Sequence, residues 1–177
     1  MPPTWEQLYE THGDALVLYA GQFVSARGEA EDVVHDAFVK LFSKRKIRRH
    51  PNPKALLFQS VRWTALDRLK SDLRRQKRET EAATDLFDCH VVSITGDEDS
   101  EFSATISRLL QSLPDNQREV LVLHLWADLS FREIADQLDI SANTAASRYR
   151  YGLEKLRSGS SELLDALPDQ ISMLTLD

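Results

Sequence analysis

Small polar and basic side chains around residue 145 carry the hydrogen-bonding groups that read DNA bases. They recur at three- and four-residue steps, so on a helix they lie on one face. Asn and Arg side chains match the major-groove edges of adenine and guanine, and Ser and Thr hydroxyls bond bases or phosphates. An arginine near a helix N-terminus adds a phosphate contact, because the free N–H groups there attract anions. The candidate duplex-DNA residues are Asn143, Thr144, Ser147, Arg148 and Arg150, with Arg132 near the start of the preceding helix.

Two short helices are needed to position these side chains. Ser130 and Glu133 form a capping-box pattern that predicts a helix start, and Ser141 can cap a second helix after a tight turn at Asp139 and Ile140. Two helices joined in this way form a helix-turn-helix, whose second helix lies in the major groove, although a helical hairpin that only packs has the same spacing. The apolar positions of this part of the chain are Phe102, Ile106, Leu109, Leu110 and Leu113 before Pro114, then Val120, Leu121, His124 and Leu125, and finally Ala145, Tyr149, Gly152, Leu153 and Leu156.

The N-terminal part of the chain predicts three further amphipathic helices. Gly28 is expected to separate the first from the second, and the third is expected to begin near Pro53, which suits a first helical turn. The apolar stripes are Trp5, Leu8, Tyr9, His12, Leu16, Tyr19, Ala20 and Phe23, then Ala30, Val33, Val34, Ala37, Phe38, Leu41 and Phe42, then Leu57, Val61, Ala65, Leu69 and Leu73. The other side of the second helix carries Glu31, Asp32, His35, Asp36, Val39 and Lys40.

Charge divides the chain into four parts, although its net charge is −6. Residues 1–78 hold 15 Lys and Arg against 9 Asp and Glu, whereas residues 79–104 hold 8 acids and neither Lys nor Arg. Residues 105–158 hold 7 of each sign, and residues 159–177 hold 4 acids without a base. We therefore expect an all-α chain with two small helical domains, joined by a flexible acidic linker and followed by an acidic tail. The second of these domains contains the helix-turn-helix.

Composition excludes several classes of protein. The chain of 177 residues suits one ordinary domain or two small ones, and no run of about 18 apolar residues predicts a membrane span. One cysteine, Cys89, permits no internal disulfide, and the first residues carry no signal-peptide pattern, so a cytoplasmic protein is expected. The five histidines lack ligand spacing, so neither a metal nor another cofactor is expected. No nucleophile–base set, glycine-rich phosphate loop or carboxylate pair is evident, so no enzyme is expected.

Two sets of motifs resemble regions two and four of bacterial sigma factors, which are promoter-specificity subunits of RNA polymerase. Two such regions, with none between them, form the layout of the extracytoplasmic-function group, and the resemblance covers residues 5–158. Region two is represented by Ala30-Glu31-Asp32-Val33-Val34-His35-Asp36-Ala37-Phe38, Leu57-Phe58-Gln59-Ser60-Val61-Arg62 and Asp67. Region four is represented by Leu113-Pro114-Asp115-Asn116-Gln117-Arg118-Glu119-Val120-Leu121, Glu133-Ile134-Ala135, Thr144, Ser147-Arg148 and Leu156-Arg157.

The resemblance implies a role for each part: binding core RNA polymerase, directing it to promoters and helping to melt the minus-ten element. Region four would bind duplex DNA at the minus-thirty-five element through the candidate residues named above. Region two would hold the clamp helices of the polymerase with Glu31, Asp32, His35, Asp36 and Lys40. The helix from Lys54 to Arg74 would capture bases of the melted non-template strand with Arg62, Trp63, Asp67, Arg68, Lys70 and Arg74.

Five residues depart from the family pattern. Trp63 stands where Asn is usual, and its ring could either stack on an unpaired base, worth about 1–3 kcal/mol, or belong to the core. Asp128 and Asp139 stand where Gly is usual at helix ends, and Asp tolerates a left-handed backbone better than most residues. Ala146 and Tyr151 replace basic residues, so the recognition helix is expected to bind DNA weakly on its own.

Several alternatives stay open at the level of sequence. A helix-turn-helix repressor or activator that is no polymerase subunit is the second functional hypothesis, although an acidic face at residues 31–36 beside a basic third helix argues against it. The run Lys44–Arg49 is either a phosphate-facing loop or a solvated one. The tail 159–177 is either a regulatory contact or an inert end. The family resemblance adds an anti-sigma protein as a further expected partner and a linker that threads the polymerase channels.

Overall fold

The computed structural model of the protein describes residues 4–43, 50–79 and 107–159. These ranges contain helices and no strand, which confirms the all-α fold class. The chain divides into two compact units at residues 92 and 93. Among the described helices, none is long and apolar enough to cross a membrane. The expectations for the run Lys44–Arg49, for the linker beyond Glu79, for Phe102 and Ile106, and for the tail beyond Gly159 lie outside the described residues.

The first unit contains three helices, α1 (Trp5–Ala20), α2 (Arg27–Ser43) and α3 (Pro53–Glu79). Helix α1 begins with a capping box that the sequence analysis did not identify. The Thr4 hydroxyl accepts the Gln7 N–H at 3.3 Å, and the Gln7 side chain accepts the Thr4 N–H at 3.0 Å. The start of α3 at a proline agrees with the expectation from its sequence.

Gly28 does not separate the first two helices, and that prediction is wrong. Helix α2 has already begun at Arg27, so the glycine lies in its first turn. Glu29 explains the early start, because one of its carboxylate oxygens accepts the N–H groups of Ser25 and Ala26 at 3.1 and 3.2 Å. These two donors would otherwise be unsatisfied at the helix N-terminus. The break between the helices therefore lies before Gly28.

The core of the first unit combines the apolar stripes of all three helices. Tyr19 and Phe58 are fully buried, and their ring centroids lie 5.8 Å apart, so they join α1 to α3. The predicted stripe of α2 is buried throughout residues 30–41. The predicted stripe of α3 is buried only as far as Ala65, and Leu73 is 39% exposed. With 27 residues, α3 is longer than the helices of 16 and 17 residues that cover it, so its C-terminal part stays exposed.

In the second unit residues 107–111 are helical, and three helices follow, α4 (Asp115–Leu125), α5 (Phe131–Leu138) and α6 (Ala142–Gly159). As expected, the first stretch ends before Pro114. Helix α4 is buried on more sides than its predicted stripe indicated, because the four consecutive residues 120–123 are all inaccessible to solvent. A single apolar stripe would leave some of these residues exposed. They are all buried because α5 and α6 both pack on α4.

An aromatic cluster forms where the three longer helices meet. The His124 ring stacks on Phe131, with centroids 4.4 Å apart, and meets the Tyr149 ring edge-on at 4.8 Å. The His124 Nδ1 atom lies 2.8 Å from the Leu129 carbonyl oxygen, which ties the ring to the segment between α4 and α5. Each ring belongs to a different helix, and each such pair contributes about 0.5–1.5 kcal/mol beyond its burial. The cluster therefore holds α6 at a fixed position on α4 and α5.

Helix α6 also approaches α4 closely at Gly152. A Cβ atom at this position would lie 2.6 Å from Cδ1 of Leu121, closer than real Cβ contacts allow. Leu121 is fully buried, so it has little room to move away. The absence of a side chain at residue 152 is therefore a packing requirement.

We expect Gly152→Ala to lower the free energy of unfolding by about 1–2 kcal/mol. Overpacking a core costs about 1–3 kcal/mol, which exceeds the gain of up to ~1 kcal/mol from the higher helix propensity of alanine. Chemical denaturation at equilibrium measures this change. The matched control is Gly28→Ala in α2, where nothing lies within 4 Å of the added Cβ, so no loss is expected. An equal change in the free energy of unfolding for the two variants would contradict the close approach of Gly152 to Leu121.

The Tyr149 hydroxyl provides a second test of this packing. Burial raises the pKa of Tyr149, and the nearby Arg157 opposes the shift. The hydroxyl oxygen is buried without a hydrogen-bond partner among the described residues. Because an unsatisfied buried hydroxyl is costly, we expect Tyr149→Phe, which keeps the ring, to raise the free energy of unfolding by up to ~1 kcal/mol at pH 7.

The same variant has an expected pH dependence. A raised pKa means that the folded chain holds the Tyr149 proton more tightly than the unfolded chain. Folding is therefore penalised when the hydroxyl must lose this proton, and the natural chain loses stability as the pH rises above about 10. The advantage of Tyr149→Phe over the natural chain should widen there. Unfolding measured at neutral and alkaline pH tests this, with Tyr151→Phe as the control because Tyr151 is 52% exposed. If the difference in free energy of unfolding between Tyr149→Phe and the natural chain stayed constant across the pH range, the raised pKa of Tyr149 would be contradicted.

Candidate nucleic-acid and polymerase interfaces

Both helices of the helix-turn-helix in the second unit begin with the N-terminal caps that the sequence predicts. The Ser130 hydroxyl accepts the Glu133 N–H at 3.3 Å, and the Glu133 carboxylate accepts the Ser130 N–H at 2.8 Å, which confirms the capping box at the start of α5. The Ser141 hydroxyl accepts the Thr144 N–H at 3.0 Å at the start of α6. These bonds satisfy donors that each helix start would otherwise leave free.

The turn between α5 and α6 depends on a left-handed residue. Asp139 has φ 54° and ψ 49°, and its N–H donates to the Ala135 carbonyl, as does the N–H of Ile140 at 3.1 Å. Asp128, before α5, also has a positive φ of 48°. Both aspartates therefore adopt the left-handed backbone that their sequence positions predict. For most other side chains this conformation costs roughly 1–2 kcal/mol per residue.

The candidate duplex-DNA residues of α6 lie outside its buried side, and Arg132 lies on the exposed part of α5. Arg132, Asn143 and Arg150 are exposed, and Thr144, Ser147 and Arg148 are partly exposed. The Thr144 hydroxyl lies 2.8 Å from the Ser141 hydroxyl, so it takes part in the cap as well. The buried side of α6 consists of Ala145, Gly152, Leu153 and Leu156, with Tyr149 partly buried.

The acidic side of α2 is exposed in the first unit. Glu31, Asp32, His35 and Asp36 all lie there, opposite the buried stripe. Glu31 forms an ion pair with Arg27 one turn earlier, at 2.9 Å. Asp32 reaches across to α3, where Arg68 lies 3.4 Å away. The structure thus brings a candidate polymerase residue into contact with a candidate DNA residue, which the separate patterns of the two helices did not predict.

A groove runs along the junction of α2 and α3. It has a volume of about 590 Å³, and Trp63 on its wall is 64% exposed. The alternative that Trp63 is a core residue is therefore wrong. Lys40 of α2 also lines this groove and donates to the Thr64 hydroxyl at 3.3 Å, so it lies where the acidic side of α2 meets α3.

The groove gathers most of the candidate minus-ten residues. Arg62, Trp63, Asp67 and Lys70 line it, whereas Arg68 pairs with Asp32. Arg74 lies further along on the exposed part of α3, where its Nε donates to the Lys70 carbonyl at 3.1 Å. Four further lining residues, which were not among the predicted contacts, share the helical spacing of Trp63: Leu56, Gln59, Ser60 and Leu66.

In the described parts of the chain, no group of His, Cys, Asp and Glu side chains could hold a metal ion. The geometry instead offers three binding surfaces: an exposed acidic helix face, a groove that combines an indole with two lysines and an arginine, and a helix-turn-helix. The first suits a basic protein partner, and the other two suit nucleic acid.

Two family models match the chain, sigma-70 region 2 over residues 8–79 and sigma-70 region 4 over residues 103–156. The sigma factor RpoE, solved in complex with the anti-sigma factor NepR from Bartonella quintana, has a similar fold with a TM-score of 0.61 at 23% identity. That likeness covers 91% of this chain and 96% of the RpoE chain.

Two curated relatives come from Bacillus subtilis. The ECF RNA polymerase sigma factor SigM is 24% identical over 142 residues, which is 78% of this chain and 83% of SigM. The RNA polymerase sigma factor YlaC is 26% identical over 167 residues, which is 89% of this chain and 94% of YlaC. With regions 2 and 4 in this order and relatives that match over most of their length, the chain belongs to the sigma-70 family as an RNA polymerase sigma factor of the extracytoplasmic-function group.

Proposed function

We propose that this sigma factor binds core RNA polymerase through the acidic side of α2 and opens the minus-ten element in the groove of α3. We further propose that it reads the minus-thirty-five element with α6. The observation that carries the proposal is Trp63, a large aromatic side chain 64% exposed in a groove with Lys40 and Lys70. An exposed indole among cations suits an unpaired base and its phosphates, and it has no evident use in a protein that only binds duplex DNA.

The polymerase contact is proposed on the charge and exposure of α2. Glu31, Asp32 and Asp36 are exposed carboxylates that phosphate would repel, so this side of α2 suits a basic protein surface. His35 lies among them and can donate to a backbone or carboxylate group of a partner. Lys40 would contribute at the edge of this surface, where α2 meets the groove.

The minus-ten contact is proposed on the groove. Arg62 and Lys70 supply positive charge for the backbone of the displaced strand, and Trp63 supplies a surface on which one base can stack. Asp67 can accept hydrogen bonds from a base edge. Arg68 and Arg74 would extend the phosphate contacts beyond the groove.

The minus-thirty-five contact is proposed on the helix-turn-helix. Asn143, Ser147 and Arg148 would reach base edges or phosphates in the major groove, with Thr144, Arg150 and Arg132 beside them. Ala146 and Tyr151 stand on α6 where basic residues are usual, so few phosphates would be neutralised and few counterions released on binding. This unit would therefore need the polymerase to hold it at the promoter.

The remaining parts of the proposal concern organisation and partners. We propose functional boundaries at 1–78, 79–104, 105–158 and 159–177, since the charge changes there. The protein would act beside the polymerase in the cytoplasm, by binding and deforming DNA without covalent chemistry or a cofactor. Because RpoE of Bartonella quintana was solved with the anti-sigma factor NepR, we propose that an anti-sigma protein regulates this chain as well.

Run-off transcription tests this proposal. Purified core polymerase, with and without the protein, is supplied with a pool of genomic promoter fragments, and the transcripts are sequenced. We expect new transcripts whose start sites share upstream motifs at minus-ten and minus-thirty-five. Tight binding to duplex DNA without polymerase, and no new transcripts, would instead favour the helix-turn-helix repressor.

Reversing charge on α2 should weaken polymerase binding. We expect the double variant Asp32→Arg with Asp36→Arg to lose affinity for core polymerase by at least about tenfold, because like charges would then face a basic surface. The matched control is Glu10→Arg with Asp14→Arg, since these are also exposed acids four residues apart on a helix of the same unit. A binding assay with labelled protein measures both. Equal losses in the two variants would point to net charge and not to this surface.

Removing the indole should weaken promoter opening. We expect Trp63→Ala to reduce the stability of the open complex by about 1–3 kcal/mol, the usual contribution of one stacked base, whereas Trp63→Phe keeps most of it. Binding to core polymerase should not change. Permanganate footprinting of the melted strand measures the effect.

A template with a single abasic site in the non-template minus-ten strand provides the control. If Trp63 stacks on the missing base, the natural protein and Trp63→Ala should open that template equally. If the natural protein still opened the promoter better than Trp63→Ala at every abasic position, the ring would not stack on a base of this strand.

A further inference from the structure

Tyr151 is an exposed aromatic residue on the recognition helix that the proposed contacts do not use. Its side chain is 52% exposed, although its neighbours Gly152 and Leu153 are buried. It follows Ser147 by four residues and Thr144 by seven, so helical periodicity puts all three on one side of α6. Tyr151 therefore lies in line with the residues proposed to enter the major groove, one turn beyond Ser147.

The packing of α6 fixes the direction in which Tyr151 projects. A Cβ atom at Gly152 would lie 2.6 Å from Cδ1 of Leu121 in α4, so α6 packs closely on α4 at the residue next to Tyr151. The Arg150 guanidinium lies 5.2 Å from the centroid of the Tyr151 ring, a cation–π arrangement that restrains the ring. The aromatic surface is thus held in place before any DNA is bound, which lowers the entropy cost of a contact.

The chemistry of the major groove selects a target for such a ring. Bases inside a duplex are stacked on one another, so a ring on a recognition helix meets only their edges. Among those edges the one apolar group is the C5 methyl of thymine, which makes favourable contacts with apolar side chains. We propose that Tyr151 contacts the methyl group of one thymine in the minus-thirty-five element and makes this sigma factor prefer thymine over cytosine there.

This inference rests on the proposed entry of α6 into the minus-thirty-five major groove. A different use of Tyr151 would be a hydrogen bond from its hydroxyl to a backbone phosphate. Such a bond would position the helix without selecting sequence, since phosphates are the same at every step. The two uses differ in which part of the side chain matters: the ring for a methyl contact, and the hydroxyl for a phosphate contact.

Selection from a randomised minus-thirty-five region tests the inference. Holoenzyme assembled from core polymerase and the natural chain, Tyr151→Phe or Tyr151→Ser selects its preferred sequences, which are then read out. We expect one thymine preference that the natural chain and Tyr151→Phe share and that Tyr151→Ser loses. Because the residue is exposed, all three chains should have the same unfolding midpoint, which serves as the folding control.

Replacing that thymine by deoxyuridine removes only the methyl group. We expect this to weaken promoter binding roughly fourfold for the natural chain and for Tyr151→Phe, the factor that burial of one methyl group contributes. No change is expected for Tyr151→Ser. Unaltered preferences in Tyr151→Ser, or an equal loss on deoxyuridine in all three holoenzymes, would overturn the inference.

The remaining outcomes separate this inference from the proposed function. If Tyr151→Phe weakens binding to all sequences equally, the hydroxyl holds a phosphate and the methyl contact is wrong, while the sigma-factor assignment of α6 stands. If holoenzyme with the natural chain selects no minus-thirty-five sequence, the proposed role of α6 fails, and the role of Tyr151 fails with it.

Discussion

A helix that buries one side can offer only its other side to a partner, and this constraint decides where every candidate surface of the protein lies. On α2 the buried stripe at residues 30–41 leaves the carboxylates outside. On α3 the burial of Leu57, Val61 and Ala65 leaves Trp63 exposed. On α6 the close approach at Gly152 turns the polar residues outward. Each binding surface is the complement of a packed core, so a core substitution that rotated a helix would displace a whole set of contacts.

Most of the fold could be predicted from the sequence because the signals involved are local. The capping box at Ser130 and the left-handed Asp139 depend on residues within a few positions of one another, and both predictions are confirmed. The wrong prediction at Gly28 has the same origin. A glycine marks a break only where nothing else caps the next helix, and Glu29 caps α2 from within its own first turn. Competition between two local signals is hard to resolve without knowing the backbone.

The candidate site was less predictable, since it depends on contacts between helices. Spacing puts Trp63 and Lys70 on one side of α3, but their exposure depends on how far α1 and α2 extend along that helix. The proximity of Lys40 to Thr64 joins residues 24 positions apart, and that of Asp32 to Arg68 joins residues 36 positions apart. No periodicity within either helix contains this information, because it comes from the angle and register at which the helices pack.

The contact between Asp32 and Arg68 links the two proposed surfaces of the first unit. Both side chains are substantially exposed, so the ion pair adds at most about 1 kcal/mol to stability. If Arg68 contacts DNA as proposed, the pair has a larger effect on binding, because a phosphate would have to compete with the Asp32 carboxylate for Arg68. A basic group of the polymerase that attracts Asp32 would remove this competition and leave Arg68 to the DNA. By linkage, DNA bound at Arg68 would then favour polymerase at Asp32 by the same factor, up to about fivefold for ~1 kcal/mol. Weak pairs of this kind suit a protein that binds DNA as part of a larger complex.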